Sequence, residues 1–77
     1  MARVRYFAAA EELAGVSEES RSEPTLAALR AALTSERPGL GSILPRCAVL
    51  VGGARVDDEI ALADDDLVDV LPPFAGG

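Results

Sequence analysis

Leu67-Val68-Asp69-Val70-Leu71-Pro72-Pro73-Phe74-Ala75-Gly76-Gly77 decides how the rest of the chain is read. Leu67, Asp69 and Leu71 alternate with Val68 and Val70, the period-two pattern of a strand with two unlike faces. Proline lacks the N–H that a ladder needs, so Pro72-Pro73 is expected to stay out of the sheet and to begin a stiff tail that projects from the domain. Residues 72–77 at about 3.3 Å each reach roughly 20 Å. Gly76 and Gly77 have no Cβ, so a narrow channel in another protein admits them where a side chain would jam. An accessible α-carboxylate at Gly77 is a poor electrophile. ATP converts such a group into an acyl adenylate, which sulfur or an amine can attack, and the missing side chains leave room for the tetrahedral intermediate. A bare Gly-Gly also suits a frayed terminus; its position behind a Pro-Pro stalk favours the chemical reading.

Working outward, Asp64-Asp65-Asp66 makes an acidic turn into this strand, and Ile60 and Leu62 anchor the loop before it. Cys47-Ala48-Val49-Leu50-Val51 reads as a buried strand, Gly52-Gly53 as a hairpin turn and Arg55-Val56 as a short return strand. Leu40, Ile43 and Leu44 are expected in an irregular connection punctuated by glycine and proline. Thr25 is a good N-cap, and Leu26, Leu29, Ala32 and Leu33 form one apolar stripe on a helix that Pro38-Gly39 stops. Glu18 to Ser22 is polar and reads as an edge strand. Ala9 to Ala14 predicts a short helix closed by Gly15. Arg3 to Ala8 predicts a strand with Val4, Tyr6 and Ala8 on one side and Arg3, Arg5 and Phe7 on the other. The order of elements predicts an α+β domain, residues 1–71, with one main helix across one face of a mixed five-stranded sheet, followed by a tail, residues 72–77.

The composition narrows the function. Seventy-seven residues with 49% hydrophobic and 26% charged side chains make one small domain that buries only about 60% of its unfolded surface, too little for a large active-site cleft. Every basic side chain is an arginine, and there is neither lysine nor histidine. With one cysteine besides, the chain lacks the groups that most often act as bases or nucleophiles near neutral pH, so a partner is expected to supply catalysis. Zinc sites and internal disulfides are excluded on the same ground. Residues 1–46 balance six arginines against six glutamates, whereas residues 47–77 set Arg55 against seven acids, so the net charge of −6 sits in the second half. That opposes nucleic-acid binding and suits a partner with a positive surface, or simply a soluble one. No apolar run approaches a membrane span, and Glu11-Glu12 breaks any signal-peptide core, so a cytoplasmic protein is expected.

The size, the order of elements and above all the Pro72-Pro73-x-x-Gly76-Gly77 ending resemble the ubiquitin-like β-grasp sulfur carriers. Residues 62–77 look most like the MoaD family, the small subunits of molybdopterin synthase. The first strand with Glu12-Leu13, and Pro24-Thr25 through Leu29-Arg30, also resemble that family. The resemblance implies that an E1-like (MoeB-like) adenylating enzyme, using ATP and magnesium, activates Gly77, and that sulfur then replaces one carboxylate oxygen. It implies further that the tail enters a MoaE-like large subunit, in a heterotetramer, and gives its sulfur to the pterin precursor. No cofactor or metal is then held by this chain itself. Where the family usually has Gly-Asp-Glu before the last strand this sequence has Asp65-Asp66-Leu67, so the resemblance leaves Asp65 to make a turn that glycine usually makes, in left-handed geometry. Val51-Gly52 replaces a frequent Val-Asn.

In such folds the first and last strands are central neighbours, which puts Arg3, Arg5 and Phe7 on the uncovered face with Leu67, Asp69 and Leu71. Phe7, Leu67 and Leu71 are then expected at the partner surface, with Phe74 as an anchor at the tail's base, Pro72 and Pro73 setting the exit direction, and Ala75 and Gly76 giving passage to Gly77. Asp69 should pair with Arg3 or Arg5. Cys47, among Ala48, Val49 and Leu50, reads as a buried, inert thiol and not the sulfur carrier. The same residues leave open a carrier for thiamine or another metabolite, a protein modifier, and a β-grasp interaction module without chemistry.

Overall fold

The computed structural model describes residues 1–56 and 59–73. In chain order they form β1 (Ala2–Tyr6), α1 (Ala9–Ala14), β2 (Glu18–Arg21), α2 (Leu26–Glu36), α3 (Pro38–Ile43), a 3₁₀ turn (Leu44–Arg46), β3 (Ala48–Val51), β4 (Ala54–Arg55) and β5 (Leu67–Leu71). The sheet runs β2-β1-β5-β3-β4. β1 and β5 are parallel, and the other pairs are antiparallel. Ala2, Val4 and Tyr6 of β1, Val49 and Val51 of β3, and Val68 and Val70 of β5 point to one face and meet Leu26, Leu29 and Leu33 of α2 in a single core. The mixed sheet and its main helix are the α+β arrangement expected.

Local chemistry sets the helix ends. Thr25 Oγ1 accepts from the Ala28 N–H at 3.1 Å, closing the first turn of α2. Gly15, at φ 81°, closes α1 with its N–H on the Glu11 carbonyl. Gly52 and Gly53 both take positive φ, the requirement of the tight turn joining β3 to β4.

Four expectations need correction. Pro38-Gly39 ends α2 but also starts α3, so Leu40 and Ile43 are helical and Leu44 opens the 3₁₀ turn. A proline at the first position of a helix loses no bond, and Gly41 lets α3 lie where a Cβ would come within 2.8 Å of the Thr34 backbone. Cys47 precedes β3, and only Val49 and Val51 of that strand are buried, because its other residues face the open side. Ala8 does not extend β1: it takes φ 51° and ψ −125° at the start of α1 and is exposed. Asp65 needs no left-handed geometry, since Ala8 is the one non-glycine with positive φ among the described residues; the turn closes instead through Asp66, whose carboxylate accepts from the Ala63 N–H at 2.7 Å.

The edge strand β2 is held by charge. Arg37 donates to both oxygens of Glu19 at 2.6 and 2.9 Å, and the buried Tyr6 hydroxyl donates to the same carboxylate. Arg21 grips Glu23 and Glu36 with two bonds each. The Arg37 bonds, with Tyr6 and Arg21 adding to them against desolvation, hold the Glu19 carboxyl down to about 2, while burial, then Glu19, push the Tyr6 phenol above its ordinary range. A depressed carboxyl stabilises the fold above its unfolded pKa and loses that contribution as pH falls through the folded value. Wild-type stability in urea is therefore expected to drop as pH falls from about 5 towards 2, and Glu19→Gln to lower stability at neutral pH while flattening that acid limb. Ala8→Gly should raise stability by about 1 kcal/mol, read from the same titration; no gain would mean that Ala8 is unstrained.

Candidate functional site

The candidate site begins where β5 ends. With Val68 and Val70 buried, Leu67, Asp69 and Leu71 occupy the open face, paired in register with Arg3 and Arg5 of β1 and with Leu50 and Ala48 of β3. Arg5 donates to both carboxylate oxygens of Asp69, at 2.7 and 2.9 Å, and its guanidinium lies 5.5 Å from the centre of the Phe7 ring. This is the pairing expected of Asp69, with Arg5 as the partner. Arg3 meets Glu18 at 3.2 Å. These pairs set opposite charges against each other at the β1 side of the face, and the cation–π contact places Arg5 over the Phe7 ring.

Phe7 is 36% exposed, and its N–H donates to the Val70 carbonyl at 3.2 Å, which keeps it beside the end of β5. Phe7, Leu67 and Leu71 thus lie on or beside the open face as the alternation implied. Pro73 is exposed, whereas Pro72 is buried: the expectation that both prolines stand clear of the domain fails for Pro72, which packs at the end of the sheet while remaining outside its ladders. Phe74, Ala75, Gly76 and Gly77 lie outside the described residues.

Leu71, Pro72 and Pro73 form one side of a shallow groove of about 460 Å³, completed by Ala48, Leu50, Arg46 and Arg55. The sequence reading missed the last four. Alternation was the available signal: with Val49 and Val51 buried, Ala48 and Leu50 had to face the open side, and Arg55 pairs with Leu50 across the hairpin.

Cys47 is 6% exposed and its thiol donates to the Ile43 carbonyl at 3.3 Å. Burial pushes the thiol up from its ordinary range, outweighing the opposing charge of Arg30, so little thiolate forms near neutral pH. Native protein should react with a thiol-specific disulfide reagent at least about tenfold more slowly than urea-unfolded protein. Equal rates would contradict burial and reopen a role for Cys47.

A mixed sheet with its last strand in the middle, one long helix across one face and a Pro-Pro exit at the other end of that strand defines a ubiquitin-like β-grasp protein. The chain belongs to the ThiS family, whose model matches residues 4–77. It is 34% identical to the molybdopterin synthase sulfur carrier subunit of Chlamydomonas reinhardtii, across 97% of this chain and 96% of that one. Among solved structures, it resembles a chain of the complex of subunits 1 and 2 of molybdopterin-converting factor from Helicobacter pylori, with 30% identity, TM-score 0.75 and coverage of 99% and 97%. The small archaeal modifier protein 1 of Methanosarcina acetivorans shares the fold at TM-score 0.86, with 24% identity over 99% of this chain and 95% of that one.

Proposed function

We propose that this chain is the sulfur-carrier small subunit of a molybdopterin synthase. The observation that carries the reading is the end-to-end similarity to the Chlamydomonas subunit of that name. The geometry supports it: β5 runs through the middle of the sheet and delivers the chain at Pro72-Pro73 to an open, partly apolar surface. Residues 1–71 are then the carrier body and residues 72–77 the working tail.

In this reading an E1-like enzyme, with ATP and magnesium, adenylates the Gly77 carboxylate and releases pyrophosphate. A sulfur nucleophile expels AMP and leaves a thiocarboxylate. The tail then enters the large subunit, whose side chains catalyse transfer of the sulfur to the pterin precursor. Gly76 and Ala75 give passage, Pro72 and Pro73 set the direction, and Phe74, Leu71, Leu67 and Phe7 contact the partner. The carrier contributes position, since holding the reacting group in place is worth many orders of magnitude and small displacements are costly.

The test is intact-mass spectrometry after incubation with the adenylating enzyme, ATP, magnesium and a sulfur donor, followed by turnover with the large subunit and pterin precursor. An oxygen-to-sulfur exchange at Gly77 and sulfurated product are expected. Gly76→Ala should fold normally and slow transfer on the order of a hundredfold, and removal of Gly77 should abolish it. Wild-type turnover by either variant would defeat the proposal, as would a protein conjugate or an unchanged mass in place of the thiocarboxylate.

A further inference from the structure

The groove at the root of the tail carries two charges that no described residue of the chain answers. Of the seven arginines, Arg3, Arg5, Arg21 and Arg37 pair with carboxylates, and Arg30 donates to the Leu44 carbonyl at 3.1 Å. Among the described residues, Arg46 and Arg55 are the arginines with neither an ion pair nor a side-chain hydrogen bond. Both are exposed, and both line the groove with Ala48, Leu50, Leu71 and Pro72. Acids outnumber arginines by thirteen to seven in this chain, yet among the described residues no carboxylate pairs with Arg46 or Arg55.

We propose that this groove docks an acidic segment of the large-subunit partner, one carboxylate-bearing side chain meeting Arg46 and Arg55 while an adjacent apolar side chain covers Leu50, Leu71 and Pro72. The inference rests on the small-subunit reading and adds the chemistry of the contact. Charge complementarity is the first argument: a guanidinium presents a fork of donors that matches a carboxylate, and among the described residues neither arginine has a partner to give up. The apolar floor is the second, because a protein segment covers it and a free anion does not. Position is the third, since Pro72 and Pro73 are part of the groove and a protein that takes in the residues beyond Pro73 meets it first.

Titration calorimetry of the full chain against the large subunit tests this. Arg46→Ala/Arg55→Ala should bind roughly tenfold or more weakly at about 0.05 M salt, with the difference shrinking at about 0.5 M. The double Arg→Lys variant should keep most of the affinity. Ala27→Glu/Ala31→Glu, on the exposed side of α2, changes the net charge by the same amount and should bind as wild type. Equal binding by the groove variant, an equal loss in the α2 control, or a loss indifferent to salt would each overturn the inference. If wild type still acquires sulfur and binds the large subunit in those cases, the functional reading stands. A wild type that does neither overturns the functional reading and the groove with it.

Discussion

Insertion of β5 between β1 and β3 is the constraint on which the rest of the structure depends. Its two ladders join the halves of the sheet, and its buried residues, Val68 and Val70, lie at the centre of the core at 0% and 2% exposure. Because side chains alternate, burying those two valines commits Leu67, Asp69 and Leu71 to the opposite face. A slip of one residue would exchange the two sets and bury Asp69. The same placement makes the chain leave the sheet from its middle. Pro72 and Pro73 therefore meet β3 and the Arg46 corner, well away from β2.

The two ends of the molecule divide the labour. At the β2 edge, Glu19, Glu23 and Glu36 are gripped by Arg21 and Arg37, so an otherwise exposed strand is tied to the C-terminal end of α2. Charged side chains there also discourage pairing with another chain. At the β3 side Arg46 and Arg55 have no ion-pair partner among the described residues, and the surface between them is apolar. The two sides thus differ in how far their charges are satisfied by described residues of the chain itself.

Much of this was legible because it rests on period and on single residues. Thr25 and Gly15 mark helix ends through their own chemistry, and the alternation of Val4 and Tyr6 with Arg3 and Arg5 assigns both faces of β1. A pairing of Asp69 with Arg3 or Arg5 followed once β1 and β5 were set side by side, and the register of the two strands selects Arg5. What escaped depends on contacts between elements. Leu40 and Ile43 stand in a segment punctuated by Pro38, Gly39 and Gly41 that reads as a loop, and its close packing against Thr34 through Gly41 is a contact between elements that no local pattern reveals. The Glu19–Arg37 clamp joins residues 18 positions apart and needs the β1–β2 register to be recognised. Ala8 breaks the rule that positive φ belongs to glycine, so reading it as strand was the natural expectation. The groove arginines escaped because an unpaired side chain is defined by its surroundings.

The central strand also shapes how the molecule assembles. Arg5 and Asp69 are 64 positions apart, so nearly the whole chain has to be looped before the sheet can close, and such non-local pairing slows folding. Until Leu67–Leu71 dock, β1 and β3 each present a bare, valine-bearing edge to any other strand in solution. A chain lacking that segment leaves two strand edges unpaired, the feature that promotes aggregation.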